Sequence, residues 1–339
     1  MNNFLKKGKQ NAIILASLIV LIVIFTLLNT SFIDKYNIVS MAQSLAPYAI
    51  MSLGVTFVIA TGGIDLSIGT VCIAAATVAG KLFMSGWDIW TTIPIMITIG
   101  ALFGLINGLL VAKLKLPAFI ATLGTMMFAR GLSAIIVSVP NIFYPTGTWF
   151  NSVFSNANGI PVGFFWVIGF ALICAYLMYK CKLGRYILSI GSNEEATRLS
   201  GINTDFYKMM AYVISGLGAG IAAIFWAASF TTVASATGNG MELDAIAGVY
   251  IGGTSAAGGI ASVSGSVIGS AMLVVIRSGL NFVLAKFNLN VNSTYVTFVL
   301  TGIIVVVAVL MDVIKNKNAN KVKKVKNNPQ KSGLPKNHE

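Results

Sequence analysis

The sequence predicts an all-α integral membrane protein: a polytopic bundle of about ten transmembrane helices, eight to ten, with broken helices in both halves. Three observations carry that prediction. Of 339 residues, 56% are hydrophobic and only 10% charged, against about 25% charged in a soluble domain. A soluble helical bundle is the alternative, and it lacks the polar shell that a core of this size needs. Runs of roughly 20 apolar residues, each able to cross about 30 Å of hydrocarbon, recur along the chain. The charges gather at the two ends and in one internal loop.

Taken in order, the apolar runs fall at about 11–28, 43–60, 64–84, 91–112, 118–139, 161–180, 209–230, 243–257, 262–284 and 295–312. The stretch 140–160 contains no Lys or Arg, so it is expected outside. Lys113 and Lys115 fall in a short connector expected inside, as is the loop 181–208 with Lys182, Arg185, Arg198 and Lys208. Ten crossings from an internal start satisfy these assignments. The runs 64–84 and 243–257 are short or broken by glycine, which leaves eight or nine crossings with re-entrant segments open. The organisation is then a basic cytoplasmic N-terminus (1–10), one membrane domain (11–312) and a disordered Lys-rich cytoplasmic tail (313–339). The first run is not followed by Ala-x-Ala-type cleavage residues and reads as a membrane segment rather than a signal peptide.

The net charge of +13 raises nucleic acid as a partner until the charges are located. Lys6, Lys7 and Lys9 precede the first apolar run, and eight lysines from Lys315 to Lys336 follow Asp312. Both clusters read as positive-inside anchors near anionic lipid, in preference to an RNA-binding tail. Cys72, Cys174 and Cys181 lack the spacing of a zinc or redox motif. The single histidine, His338, is next to the C-terminus, which removes His-ligated metals and any Ser-His-Asp triad. No metal site and no cofactor is expected.

Two apolar regions are interrupted in the same way. The first runs Thr61-Gly62-Gly63-Ile64-Asp65-Leu66-Ser67-Ile68-Gly69-Thr70. The second runs Glu242-Leu243-Asp244 to Gly248, then Gly252-Gly253-Thr254 to Gly259. Paired interrupted segments point to an internal repeat with a pathway at its interface. Close helix packing through small residues is the other reading of the same glycines. Asp65 and Arg130 lie within apolar runs, with Asp244 and Arg277 as their second-half counterparts. A charge near the bilayer centre costs at least about 2.5 kcal/mol, so each needs a partner or an aqueous cavity. Capping of a half-helix at Ser67 and Ile68, or a salt bridge between the halves, is favoured for Asp65 over substrate contact. The acceptor of Arg130 is not legible.

Within the internal loop, Ser192-Asn193-Glu194-Glu195 fits a capping box, with the Ser192 hydroxyl on the N–H of Glu195 and the Glu195 carboxylate reaching back. Gly201 supplies a stop after Leu199 and Ser200. The product is a helix over 192–200 of about two turns, carrying Ala196, Arg198 and Leu199. A helix this short is unstable alone in water and is expected to dock on a partner. An interfacial helix on lipid is the alternative, but its acidic face argues against that. No Gly-x-x-x-x-Gly-Lys-Ser/Thr occurs, so the chain carries no P-loop of its own.

Three ordered stretches carry a family resemblance: Thr61 to Gly69, Gly184-Arg185-Tyr186 through Gly191 to Ile202, and Glu242 to Gly259. Together they resemble the signatures of the ribose-type sugar permeases of ATP-binding cassette (ABC) importers, over roughly residues 40–312. The resemblance implies a permease that dimerises with itself or a paralogous permease around a central pathway. It implies a cytoplasmic ABC-type ATPase on the internal face and an extracytoplasmic sugar-binding protein on the other. It also implies that the 192–200 helix is a coupling helix, and that the chain transports without enzymatic chemistry. In many relatives a basic residue follows the second Gly-Gly, whereas here Gly258-Gly259 is followed by Ile260.

The favoured function is therefore the pathway subunit for a ribose-like monosaccharide. An ion-coupled secondary transporter working without an ATPase, with Asp65 and Asp244 as coupling sites, is the alternative. A channel or scaffold, and a branched-chain amino acid permease, are further readings. Polar residues in apolar runs nominate Asp65, Ser67, Thr70, Asn107 and Thr125 for the pathway, with Gly63, Gly69, Gly252 and Gly253 at the breaks.

Overall fold

The computed structural model describes residues 2–137, 141–234, 237–287 and 293–326. Helices dominate: α1 (Asn2–Leu28), α2 (Lys35–Ala60), α3 (Ile68–Met84), α4 (Ile89–Gly108), α5 (Ala118–Ile136), α6 (Trp149–Phe154) and α7 (Val162–Tyr179). They continue with α8 (Lys182–Ser192), α9 (Glu194–Leu199), α10 (Thr204–Phe230), α11 (Met241–Ile251), α12 (Val263–Lys286) and α13 (Ser293–Lys326). Two short strands, β1 (Ile142–Phe143) and β2 (Thr232–Val233), pair antiparallel with Ile142 opposite Val233.

Among the described residues, seven helices are long and apolar enough to cross a membrane: α1, α2, α4 with its extension to Lys113, α5, α7, α10 and α12. α3 and the stretch Tyr295–Met311 of α13 are shorter apolar helices. Within the expected run 243–257 the helix is short. α11 has 11 residues, about 16 Å at 1.5 Å per residue, roughly half of a 30 Å hydrocarbon core. Gly252, at φ −64°, closes it, and Gly253, at φ +84°, turns the chain away. α13 itself runs on past its apolar stretch to Lys326. Residues 327–339 lie outside the described residues.

α2 and α10 form the centre, α10 packing on α4, α2 and α3, and α2 on α12, α7 and α11. Lipid supplies no hydrophobic drive between helices, so close approach depends on small residues. α4 places Gly100, Gly104 and Gly108 on one face at i, i+4 and i+8, against α10. A Cβ on Gly100 would run into the Gly216 carbonyl, and one on Gly104 into the Tyr212 carbonyl. α11 and α12 meet likewise, with Gly248 against Gly269 and Gly252 against Gly265.

The contacts sort the connections between two ends of the bundle. At one end Asn11 bonds Ser262 and Ser264, the Gly259 N–H donates to the Ala60 carbonyl at 2.9 Å, and α8 and α9 are attached. At the other end Lys286 donates to the Leu28 carbonyl, and Trp90 stacks on Trp149 at 3.8 Å between ring centroids. Ring pairs of this kind suit the membrane–water boundary.

Candidate functional site

Local sequence explains the first break. α2 ends at Ala60, and Gly62 adopts φ +81° to reverse the chain. Asp65 then folds back on the N-terminus of α3: one carboxylate oxygen accepts the Ser67 N–H at 3.0 Å and the Ser67 hydroxyl at 2.7 Å. Its other oxygen accepts the Ser215 hydroxyl of α10 at 2.7 Å. Asn107 of α4 donates to the Ser67 hydroxyl at 2.8 Å, and Thr125 of α5 donates to Asn107 at 2.7 Å. Four of the residues nominated for the pathway, Asp65, Ser67, Asn107 and Thr125, thus form one hydrogen-bonded chain. It joins α3, α4, α5 and α10.

All four are buried, Asp65 to 1% exposure. Their hydrogen bonds are made to one another and to Ser215, which ties the four helices together at this level. Thr70 is buried as well and bonds the Ser67 carbonyl at 2.9 Å. The half-helix cap expected at Asp65 is present through Ser67. The salt bridge considered for it is not found among the described residues, where Ser215 takes that place.

The second break holds its charges differently. Asp244, in the first turn of α11, accepts from Arg277 of α12 and from Thr301 of α13 at 3.3 Å. Arg277 also donates to the Tyr48 hydroxyl of α2 at 2.8 Å. Arg130 of α5 finds Glu242, two residues before Asp244, at 3.8 Å. The two halves meet at this level: a Cβ on Gly69 would strike the backbone N and the carboxylate of Glu242. Gly69 and Gly252 are therefore packing glycines. Ser215 and Tyr48 were not legible as site residues, since a lone Ser or Tyr in an apolar run carries no spacing signal; Glu242 is legible only as the start of the second interrupted stretch.

The internal loop folds as two helices at an angle. The capping box expected at Ser192 is corrected. Ser192 is the last residue of α8, and its hydroxyl donates to the Leu188 carbonyl at 2.9 Å. Asn193, extended at φ −164°, is the true N-cap, and its side chain accepts the Ala196 N–H at 2.9 Å. A Ser inside a helix end satisfies itself one turn back, which leaves the neighbouring Asn to make the turn. α9 is correspondingly shorter than the expected 192–200, and Gly201 at φ +79° ends the loop's turn.

α9 is tethered by charge. Glu194 pairs with Arg198 at 3.0 Å and with Lys208 of α10. Arg198 reaches Asp205 at 3.5 Å and the Thr204 hydroxyl at 3.1 Å. Asp205 in turn pairs with Lys115 of the α4–α5 connector. Glu195 and Leu199 point outward, Leu199 being 83% exposed. A cavity of about 570 Å³ lies beside α9, lined by Gly62, Gly63, Lys115, Glu194, Arg198 and Tyr212 among others.

The three sequence signatures converge at one point. A Cβ on Gly191, in α8, would collide with the Ala60 carbonyl and the Gly259 N–H, and one on Gly258 would press on the Gly62 N–H. So the loop helices rest directly on both breaks. The family model described as "Branched-chain amino acid transport system / permease component" matches residues 37–309. The ribose import permease protein RbsC of Escherichia coli (strain K12) is 36% identical over 310 residues, covering 88% of this chain and 92% of that protein. This chain belongs to the ribose-type sugar permeases of ABC importers. The fructose import permease protein FruF of Bifidobacterium longum is 34% identical over 295 residues, covering 81% and 82%. The D-allose transport system permease protein AlsC of Escherichia coli (strain K12) is 31% identical over 282 residues, covering 83% and 84%. No solved structure matches. The permease is thus a transport subunit of a multi-pass bacterial inner-membrane protein class. That family works with an ATPase and a substrate-binding protein, which sets aside the ion-coupled alternative.

Proposed function

We propose that this permease forms the translocation pathway for a ribose-like monosaccharide, handed over by an extracytoplasmic binding protein and driven by a separate ATPase seated on α9. The observation that carries the reading is α9 itself. It is a capped helix of six residues, held by ion pairs through Glu194 and Arg198 and offering Leu199 to the outside, with the exposed Glu195 at the edge of the neighbouring cavity. An exposed apolar side chain with a carboxylate one turn away suits insertion into a cleft of a partner protein. ATPase closure then rocks the bundle as a rigid body and opens the pathway to each side in turn.

The lysines of the 181–208 loop and both termini favour the cytoplasm for the α9 end, under the positive-inside rule. On that orientation the chain crosses ten times, one crossing being the half-helix α11 with the stretch before it. A second copy, or a paralogous permease, faces α5. Gly124 and Gly131 of α5 have open space where a Cβ would stand, and Arg130 beside them keeps a partly exposed side chain. An arginine midway along a membrane helix faces protein or water rather than lipid.

The test is paired substitution of the outward residues, Glu195→Lys with Leu199→Asp, in the assembled transporter. The expected result is loss of binding-protein-stimulated ATP hydrolysis and of uptake while the permease still inserts. Unchanged uptake by the double variant refutes the docking role.

A further inference from the structure

The connector between α4 and α5 is built in an unusual way. α4 ends in a π-turn, Leu109–Lys113, in which the Leu114 N–H reaches the Leu109 carbonyl at 3.0 Å. Such turns are rare and gather at functional positions. Lys115 follows at φ +57°, a left-handed backbone on a residue with a Cβ, where strain persists only when surroundings enforce it. Pro117 then caps α5. Only the four residues Leu114 to Pro117 separate the two rigid elements, so a displacement of Lys115 is passed to the start of α5.

What holds Lys115 is the ion-pair cluster of α9. Its ammonium binds Asp205 in the first turn of α10, Asp205 binds Arg198 at 3.5 Å, and Arg198 binds Glu194 at 3.0 Å. The cluster is poorly placed to stabilise the fold. The Lys115 side chain is 52% exposed and that of Asp205 is 29% exposed, and such pairs contribute little. A series of charges that stabilises little, runs from α9 to a strained residue, and ends beside α5 has the layout of a linkage.

We propose that Lys115 is a positioning residue for transport, through which displacement of α9 reaches α5 by the series Glu194–Arg198–Asp205–Lys115. This rests on the reading of α9 as the element that docks the ATPase. α5 carries Arg130 and the open face at Gly124 and Gly131, so the linkage connects the driven helix to the helix facing the pathway. The junction of Gly191 with Ala60 and Gly259 supplies the fixed point about which α9 moves.

The experiment uses the full transporter, with its ATPase and binding protein, in proteoliposomes. It records sugar taken up per ATP hydrolysed for the wild type, Lys115→Ala, Lys115→Arg and Asp205→Asn. The expected result is normal assembly and ATP hydrolysis in all four. Sugar per ATP should fall at least about fivefold in Lys115→Ala and in Asp205→Asn, the lower end of ordinary coupling factors. It should hold near the wild-type value in Lys115→Arg. An unchanged ratio in Lys115→Ala, or a ratio that Lys115→Arg loses as fully as Lys115→Ala does, overturns the proposal. Wild-type permease that binds no ATPase overturns the docking reading, and this one with it; ATPase binding that persists in every variant keeps the two separable.

Discussion

Asp65 accepts a 2.7 Å hydrogen bond from Ser215, a residue 150 positions away on α10. Together with Ser67, Asn107 and Thr125 it makes the first break of the permease a satisfied polar unit inside apolar surroundings. Buried networks of this kind are strongly favourable only when complete.

Asp65→Ala removes the acceptor for three donors: the Ser67 N–H, the Ser67 hydroxyl and the Ser215 hydroxyl. Leaving buried donors unsatisfied costs about 1–3 kcal/mol each at most. Thermal unfolding in detergent should show a clearly lowered midpoint for this variant. Ser215→Ala, which removes one donor and leaves two, should lower it less.

Gly100→Ala places a methyl group against the Gly216 carbonyl, where backbone meets backbone and neither helix can yield locally. Overpacking of this kind costs roughly 1–3 kcal/mol. Gly302→Ala, in α13 with open space around it, is the matched control and should leave the unfolding midpoint unchanged.

Asp244→Ala strands Arg277 among Tyr48, Ser270, Leu273 and Val274. Breaking a buried pair from one side costs about 3 kcal/mol. Arg277→Met with Asp244→Leu removes both charges and should recover much of the loss. A double-mutant cycle on unfolding midpoints checks the sign of that coupling.

Arg130→Gln keeps a polar side chain on α5 and removes the charge paired with Glu242 at 3.8 Å. If α5 faces the pathway, uptake should fall about tenfold, equivalent to roughly 1.4 kcal/mol, with expression and thermal stability retained. Uptake assays on proteoliposomes normalised to inserted protein would show this.

These outcomes depend on contacts that the sequence revealed unevenly. Apolar period and the position of lysines expose the helices, because a membrane helix must be apolar along its length. The breaks are legible too, since glycine and a carboxylate inside such a run have few other uses. What Asp65, Ser67, Asn107 and Thr125 do together is not legible: hydrogen-bond partners 18 to 150 residues apart are set by helix packing. The same holds for Arg130, whose acceptor Glu242 lies on another broken helix. At α9 the difficulty is local. Ser192 and Asn193 are both good caps, and the choice of Asn193 follows from how far α8 extends. Lys115 marks its connector as internal, but its left-handed backbone is not legible, because a left-handed lysine is imposed by its neighbours and not by its own preference.

The most direct test of the permease reading places a photo-crosslinking residue at Leu199, the most exposed apolar side chain of α9, and irradiates intact membranes of the native host. The expected product is a covalent adduct with a P-loop ATPase, formed in good yield and reduced by the Glu195→Lys substitution. Adducts with lipid alone, alongside sugar uptake that proceeds normally, would contradict it.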